Sequence, residues 1–375
     1  MRSVALDFGG KVSFCEVANG KVIRRTSVKD FWELEPELGP QTAKAKVAVE
    51  ACREAWFLVE QLRRWGHEPL VVDTTRSAKL GIGHHKRKND RIDAEVLAHA
   101  VERNLIPTAH VLSPHRQSLR QWQSVRRALV ETRAQYIVCV RGFLRAANLQ
   151  RLPRCEPERF AKLARKAPMS ANTRELITAL VDTIADLSER IAQVDNRLEA
   201  ISSEEPATLL LRTTPGVAAV VSTAFVSVID EPSRFKRAHQ VEAYLGLVPS
   251  EHTSVHRQLG SITKQGNKYL RALLIQAAWS ILRTRFTDPL RIWAQRIAQR
   301  RGKKIAAVAL ARRLAGILWA MWRDGTVYEP ARVGQVSAQG VERRAQQELT
   351  VAAAMRRAGV KGQRRIAAFR RTQMD

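Results

Sequence analysis

The chain is 375 residues long, more than one ordinary hydrophobic core accommodates, so two or three domains are expected. Its 63 Lys and Arg against 36 Asp and Glu give a formal charge of +27, a surplus that implies a polyanionic partner, nucleic acid before any other. No apolar run reaches the roughly 18 residues of a spanning helix, VAAVVSTAFVSVI being too short, and Asp7 interrupts the amino terminus before a secretory segment forms. The expectation is therefore a cytoplasmic protein with no membrane attachment. Cys15, Cys52, Cys139 and Cys155 lie far apart, with no Cys/His ligand spacing, which argues against a zinc module and predicts reduced, buried thiols.

SVALDFGGKVSFCEVANGKVIRRT alternates apolar and polar residues and is broken at Gly9-Gly10 and at Asn19-Gly20, the latter a strong hairpin signal. Three antiparallel strands are predicted. The segment FWELEPELGP, with two prolines, is a poor helix. KVAVE then reads as a buried strand, CREAWFLVEQLRRWG as a helix, EPLVVDT as a strand and HHKRKNDRIDAEVLA as a helix. Together they predict an α/β domain over residues 1–110.

From His115 onward strand signals vanish. A helix around SLRQWQSVRRALVETRAQYIVCVRGFLRAA precedes a second in which Leu180, Ile184, Leu187, Ile191, Val194, Leu198 and Ile201 form an a/d seam over three heptads. A helical hairpin is predicted over 111–205, with residues 153–168 as its connection; a spacer, an oligomerisation element or an ordinary bundle all fit. A mostly helical unit follows over 206–330. The tail 331–375 is basic, with ten Lys and Arg against Glu342, Glu348 and Asp375, and reads as an arm able to follow a phosphate backbone.

Within HHKRKNDRIDAEVLA, Asp90 and Asp93 stand three apart and so share one helix face. Two carboxylates there repel unless a cation lies between them. Asp7 in the first strand and Glu50 at the end of KVAVE occupy comparable places, where a charge is costly unless paired or ligating. The four acids are predicted to converge at the carboxyl edge of one sheet and to hold Mg²⁺, with Lys86, Arg87 and Lys88 gripping the polyanion beside them. Taken singly, Asp93 could pair with an arginine and the basic run could be a solvated face; the order of the whole set favours the metal reading.

The stretch YLGLVPSEHTSVHRQLGSITKQGNKYLRALL places Ser250, Ser254 and Ser261 among Arg257, Lys264, Lys268 and Arg271, with a helix starting near Tyr269. A serine among cations suits attack on a phosphodiester, though a loop that only contacts phosphates has the same composition. TTPGV before an apolar helix fits a hairpin whose turn at Gly216 binds phosphate.

With these motifs in hand, the chain resembles the DEDD transposases of bacterial insertion sequences, the "one-ten" family, described as bridge-RNA-guided recombinases. The resemblance rests on VALDFGG, VAVEACREA, KNDRIDAEVLA, the TTPGV to LGLVP segment, EHTSVHRQLGSITKQGNKYLRALL and GKKIAAVALARRLAGILWAMWRDGTVYEP. It implies a RuvC-like domain of RNase H fold, a coiled-coil linker and a mostly helical transposase domain. It further implies Mg²⁺ on Asp7, Glu50, Asp90 and Asp93, and a serine nucleophile that falls on Ser254. A homo-oligomer, dimer or tetramer, is implied, in which the acidic domain of one subunit joins the serine domain of another. Donor and target DNA and a structured noncoding guide RNA are the implied partners, and a bacterial, nucleoid-associated location follows. Val255 and Ala218 stand where glycine is usual in the family. Two other readings fit the residues: a RuvC-like metal-dependent nuclease or junction resolvase with water as nucleophile, and a nucleic-acid-binding protein without catalysis.

Overall fold

The computed structural model describes residues 1–52, 54–73, 76, 90–147, 152–253, 257–284 and 287–331, with the side chains of 90–92, 252–253 and 257–259 outside that set. The basic tail and Lys86, Arg87, Lys88 and Ser254 therefore lie outside the described residues. The chain divides into two compact units, Met1–Leu112 and Ser113–Asp375.

The first unit is built on a five-stranded sheet of β1 (Arg2–Phe8), β2 (Val12–Ala18), β3 (Lys21–Val28), β4 (Ala45–Glu50) and β5 (Glu68–Val72), ordered β3-β2-β1-β4-β5. The first three strands form an antiparallel meander, and β4 and β5 run parallel to β1. Asn19 and Gly20 close the second hairpin with φ of 51° and 72°, the left-handed pair that a two-residue turn between twisted strands demands. FWELEPELGP yields only a 3₁₀ turn, Phe31–Leu34, and one turn of helix, α1 (Glu35–Leu38); Asp30 and Glu33 cap it reciprocally.

Strand alternation divides the core. Val4, Leu6, Phe14, Val47 and Val49 face Phe31, Leu34, Leu38 and, on α2 (Ala55–Arg64), Leu58 and Leu62. Ala5, Cys15, Val17, Ala48 and Val72 face α3 (Asp90–Glu102) through Ala94, Leu97, Ala98 and Val101. Alanines on both sides of this second layer let the helix lie close to the sheet.

In the second unit, α4 (Pro114–Ala146) and α6 (Ala171–Glu204) form a long helical pair, tied by the Arg126–Asp195 ion pair. Its connection contains α5 (Pro157–Lys166), whose Phe160, Ala161 and Ala164 pack with Val140, Leu144, Ile177, Val181 and Ile184. Every predicted seam residue from Ile184 to Leu198 is buried, whereas Leu180 and Ile201 are only partly so. At the other end of the pair, Leu119, Val194 and Leu198 share one core with α7 (Pro206–Arg212), α8 (Ala219–Ile229), α9 (Ala238–Tyr244), α10 (Lys268–Arg283), α11 (Pro289–Arg301) and α12 (Lys303–Asp324). Glu205 sits at the junction, in a bidentate pair with Arg116 at 2.8 and 2.9 Å. Burial pushes its carboxyl up, and Arg116 and His115 together bring it below the usual value.

Three expectations are corrected. A two-stranded ribbon, β6 (Pro249–Thr253) and β7 (Arg257–Ile262), interrupts the region where no strand was expected. Both its strands are polar, so no apolar alternation marks them. The helix α12 is long and apolar enough to cross a membrane by length and composition, although Arg312 and Arg313 had broken its run in the sequence. Its apolar side, Leu310, Leu314, Leu318 and Trp319, is buried in the helical core. Of the four free thiols only Cys15 is buried, and Cys139 is exposed.

Candidate functional site

Asp7 and Glu50 meet by strand geometry. Leu6 pairs with Val49 in the parallel β1–β4 ladder, so Asp7 and Glu50 are each one step beyond that pair, at the carboxyl edge of neighbouring strands. Side chains alternate along a strand, so Asp7 shares the face of Ala5, and Glu50 that of Ala48. That is the face α3 covers.

The direction of α3 follows from its polar contacts. Near its carboxyl end, Glu102 accepts from the Gly20 amide at 3.2 Å, and Asn104, just past the helix, accepts from Lys46 Nζ at 2.9 Å. Gly20 and Lys46 both lie near the amino ends of β1 and β4, since Ser3 is in register with Val17 and with Lys46. Glu95, a turn and more earlier, pairs with Arg25, which is level with Cys15 and Ala5. The first turn of α3, with Asp90 and Asp93, therefore points to the edge that carries Asp7 and Glu50. Asp7 is 6 % exposed, Asp93 on the helix is half-buried, and Glu50, although in the sheet, is exposed. Asp73, directly after β5, stands at the same edge and is engaged by Arg76 at 3.3 Å. Among the described residues, which exclude the Asp90 side chain, no three His, Cys, Asp or Glu side chains gather closely enough to hold an ion.

The second unit holds the serine stretch. Ser254 falls among the three undescribed residues between Thr253 and Arg257, the last register pair of the ribbon. Ser250 Oγ donates to the Ser261 carbonyl at 3.0 Å, a bond across the ribbon base. The ribbon is anchored by two turns that cross at backbone contact. Gly246 (φ 65°) lies against Gln265, and Gly266 (φ 70°) against the Tyr244 carbonyl, so that a Cβ at either position would overlap main chain. Sequence reasoning missed both glycines, although each interrupts a polar or turn segment.

The cations beside Ser254 part into two groups. Lys264 and Lys268 are exposed, as expected of residues that meet phosphate. Arg271 is not: it is 8 % exposed, and its Nη1 donates to the carbonyls of Leu245 at 2.9 Å and Gln265 at 2.7 Å. Burial lowers its pKa from the usual arginine value. Its place among phosphate-gripping residues is corrected to that of a clasp between the two turns. The backbone of Arg257 begins β7, and its side chain lies outside the described residues.

Gly216 closes the turn between α7 and α8 with φ 75°, and a Cβ there would stand 2.8 Å from the Ala277 carbonyl. The glycine is thus required by close approach to α10. Beside it lies a cleft of about 530 Å³ lined by Arg212, Thr214, Gly216, Ala218, Ser280 and Asp288, among others. Asp288 accepts from the Tyr328 hydroxyl at 3.0 and 3.1 Å and from the Leu290 amide at 2.8 Å. Burial and the neighbouring Asp288 push the Tyr328 phenol up, so it remains a proton donor.

Comparison with known proteins fits this architecture. Residues 5–148 match the DEDD-type family model of IS110, described as a transposase, and residues 208–291 match the model described as transposase of the IS116/IS110/IS902 family. A Pseudomonas aeruginosa protein described as "Probable family 20 transposase" is 31 % identical over 316 residues, 82 % of this chain and 90 % of its own length. The transposase for insertion sequence element IS1111A of Coxiella burnetii is 29 % identical over 241 residues, 62 % of this chain and 66 % of that protein. The transposase for insertion sequence element IS1328 of Yersinia enterocolitica is 26 % identical over 290 residues, covering 75 % and 85 %. The matched family models and these relatives, all described as transposases, place the chain in the class of DNA-cutting and rejoining enzymes. The chain belongs to the IS110/IS116 family of transposases.

Proposed function

We propose that the chain is a recombinase that excises and inserts its insertion element through a phosphoserine link. In this reading Asp7, Glu50, Asp90 and Asp93 hold Mg²⁺ and Ser254 supplies the nucleophile. The observation that carries it is the common face and edge of Asp7, Glu50 and the first turn of α3. All four donors are carboxylates, the hard oxygen ligands magnesium prefers, and Asp90 precedes Asp93 by one helical turn. The bound ion would supply charge neutralisation at the scissile phosphate.

The chain's own residues divide the remaining work. The Ser254 oxygen attacks phosphorus as its hydroxyl proton is released, a P–O bond to the adjoining nucleotide breaks, and that nucleotide leaves as a hydroxyl on taking up one proton, so that one proton is lost and one gained overall. Resolution reverses this with the hydroxyl of another strand. Lys264 and Lys268 offset charge on the phosphate oxygens, joined by Arg257 and by Lys86, Arg87 and Lys88, while the turn at Gly216 receives a further phosphate. Arg271, Gly246 and Gly266 act as positioning residues, fixing the base of the ribbon.

The sheet order, with an antiparallel meander followed by two parallel strands, supports assigning the first unit, residues 1–110, to the RuvC-like, RNase H kind. The helical pair 111–205 would be a coiled-coil linker, 206–330 the transposase domain and 331–375 a basic arm. A charge of +27 suits a protein that handles polyanions, donor and target DNA and a structured guide RNA, in the bacterial cytoplasm, and the homo-oligomer is what the family resemblance implies.

Metal titration tests the acid set. Mn²⁺ in place of Mg²⁺, followed by paramagnetic resonance, should bind to the full chain and lose affinity at least 10-fold in Asp93→Asn and Asp7→Asn, a loss of about 1.4 kcal/mol or more. Equal affinity in all three proteins would remove these acids from the metal site.

A further inference from the structure

From Pro289 to Arg323 the chain carries Arg291, Arg296, Arg300, Arg301, Lys303, Lys304, Arg312, Arg313 and Arg323 and not one acid. Four of these are engaged. Arg312 pairs with Glu242 at 2.6 Å, Arg313 stacks 4.6 Å over Trp293, Arg323 pairs with Asp324, and Arg291 has an interaction of its own. The other five are exposed, and none has a hydrogen-bond or ion-pair partner among the described residues.

Those five occupy one place. Only Gly302, with φ 86° and ψ 156°, separates α11 from α12, and the Arg313–Trp293 stack brings the helices back alongside each other. Arg300, Arg301, Lys303 and Lys304 are thus the tip of a helical hairpin. Arg296 lies one turn below, on the same exposed side of α11 as Arg300. Nothing within 4 Å would meet a Cβ at Gly302, so the glycine serves the reversal of the chain and leaves the tip open.

The charge at this tip works against the fold. The first turn of α12 has Lys303 and Lys304, no acid and no side-chain cap, so two cations adjoin the positive end of the helix dipole. Arg300 and Arg301 close the preceding helix favourably, but the four together repel one another across a single residue. An arrangement that is unfavourable without a ligand fits an anionic one. At about 1.5 Å per residue, Arg296 and Arg301 stand about 7.5 Å apart along α11, roughly two phosphate steps of about 3.4 Å along one strand of a duplex.

We propose that the hairpin tip formed by Arg296, Arg300, Arg301, Lys303 and Lys304 is a docking surface for the phosphate backbone of duplex DNA. It rests on the transposase reading for its choice of polyanion, and it includes none of the cations that flank Ser254 in sequence. Exposed cations without protein partners meet the phosphate backbone, and such contacts fix the register and orientation of the duplex without carrying sequence information, so the role of the tip is to hold the duplex.

Fluorescence anisotropy of the full chain on a labelled DNA duplex, between about 50 and 200 mM salt, tests it. Each phosphate contact contributes about −0.9 to the slope of log K against log salt, so replacing all five cations by Gln should flatten the slope by about 3 or more. A control chain with Arg154, Arg159, Lys162, Lys166 and Arg197 replaced by Gln removes the same charge from exposed positions elsewhere. It should retain the parental slope to within about one contact. A second variant, Lys303→Glu with Lys304→Glu, places acids at the start of α12; it should melt no lower than the parent and still bind DNA at least 10-fold more weakly. The proposal is overturned by an unchanged slope in the five-site variant, by equal flattening in the control, or by an effect confined to an RNA duplex of the same sequence. No DNA binding by the parent would overturn the transposase reading together with it.

Discussion

Arg271 donates a hydrogen bond to the Leu245 carbonyl at 2.9 Å, across 26 residues of sequence and from one turn of α10 to the LGLVP turn. With its second bond, to Gln265, it joins the two turns that support the ribbon β6–β7. The Arg271→Ala chain leaves two carbonyls without their charged donor and should lose about 2–3 kcal/mol of stability. Lys268→Ala, at an exposed site three residues earlier, should change stability by less than about 0.5 kcal/mol and weaken DNA binding instead. Urea unfolding of the two variants separates these roles; equal stabilities would contradict the clasp.

Gly266 permits the same crossing. Alanine there requires φ near 70° and overlaps the Tyr244 carbonyl, so Gly266→Ala should cost about 3 kcal/mol or more. Gly302→Ala has the same φ difficulty but open space around it, and should cost less, about 1–2 kcal/mol. Thermal melts of both give the order; a larger loss at Gly302 would show that close approach is not the decisive feature.

The small-residue layer under α3 sets where Asp90 and Asp93 stand. Ala98 is fully buried among Ala5, Ala48 and Val72. Ala98→Leu overfills this layer and should destabilise by about 1–3 kcal/mol while lifting the helix from the sheet. Mn²⁺ affinity should fall further in this variant than in Leu62→Ala, a change in the opposite face of the sheet that leaves α3 in place. Parallel losses in the two variants would contradict a positional effect.

His67 gives the first unit a pH dependence. Its Nδ1 accepts from the Ala45 amide at 3.1 Å and its Nε2–H donates to the Leu38 carbonyl at 2.6 Å, so the ring is neutral. Burial lowers its pKa below the ordinary 6.5. A depressed pKa means that the unfolded chain takes up a proton first. The stabilisation is complete above about pH 6.5 and is lost as pH falls from there through the folded-state value. Stability of the parent should decline relative to His67→Gln between pH 7 and pH 5, measured by denaturant unfolding; parallel curves would contradict it.

Much of the first unit was legible because alternation and turn chemistry agree: Asn19-Gly20 fixes a hairpin, and Asp7 and Glu50 stand out as charges in apolar strands. The helix bearing Asp90 and Asp93 was legible from its period, and only its placement over Ala5 and Ala48 required the fold. The ribbon was not legible, since PSEHT and RQLGSI have polar residues on both faces. Arg271 was misread by composition, although it lies three residues before Leu274 and seven before Ala278, on the stripe that α10 buries. Periodicity held that signal, and proximity to Lys264 and Lys268 obscured it. The seam of α6 was legible as a seam, but its partners, α4 and α5 of the same chain, were not fixed by three heptads.

Trapping of the cleaved strand tests the central claim most directly. Full chain, Mg²⁺, guide RNA and a DNA substrate nicked so that the broken strand diffuses away should yield a protein–DNA adduct that survives denaturation and maps by mass spectrometry to Ser254. Ser254→Ala should bind the same DNA and form none. Cleavage by Ser254→Ala, or cleavage by the parent with no protein attached to either end, would mean that water is the nucleophile and that the serine stands outside the chemistry.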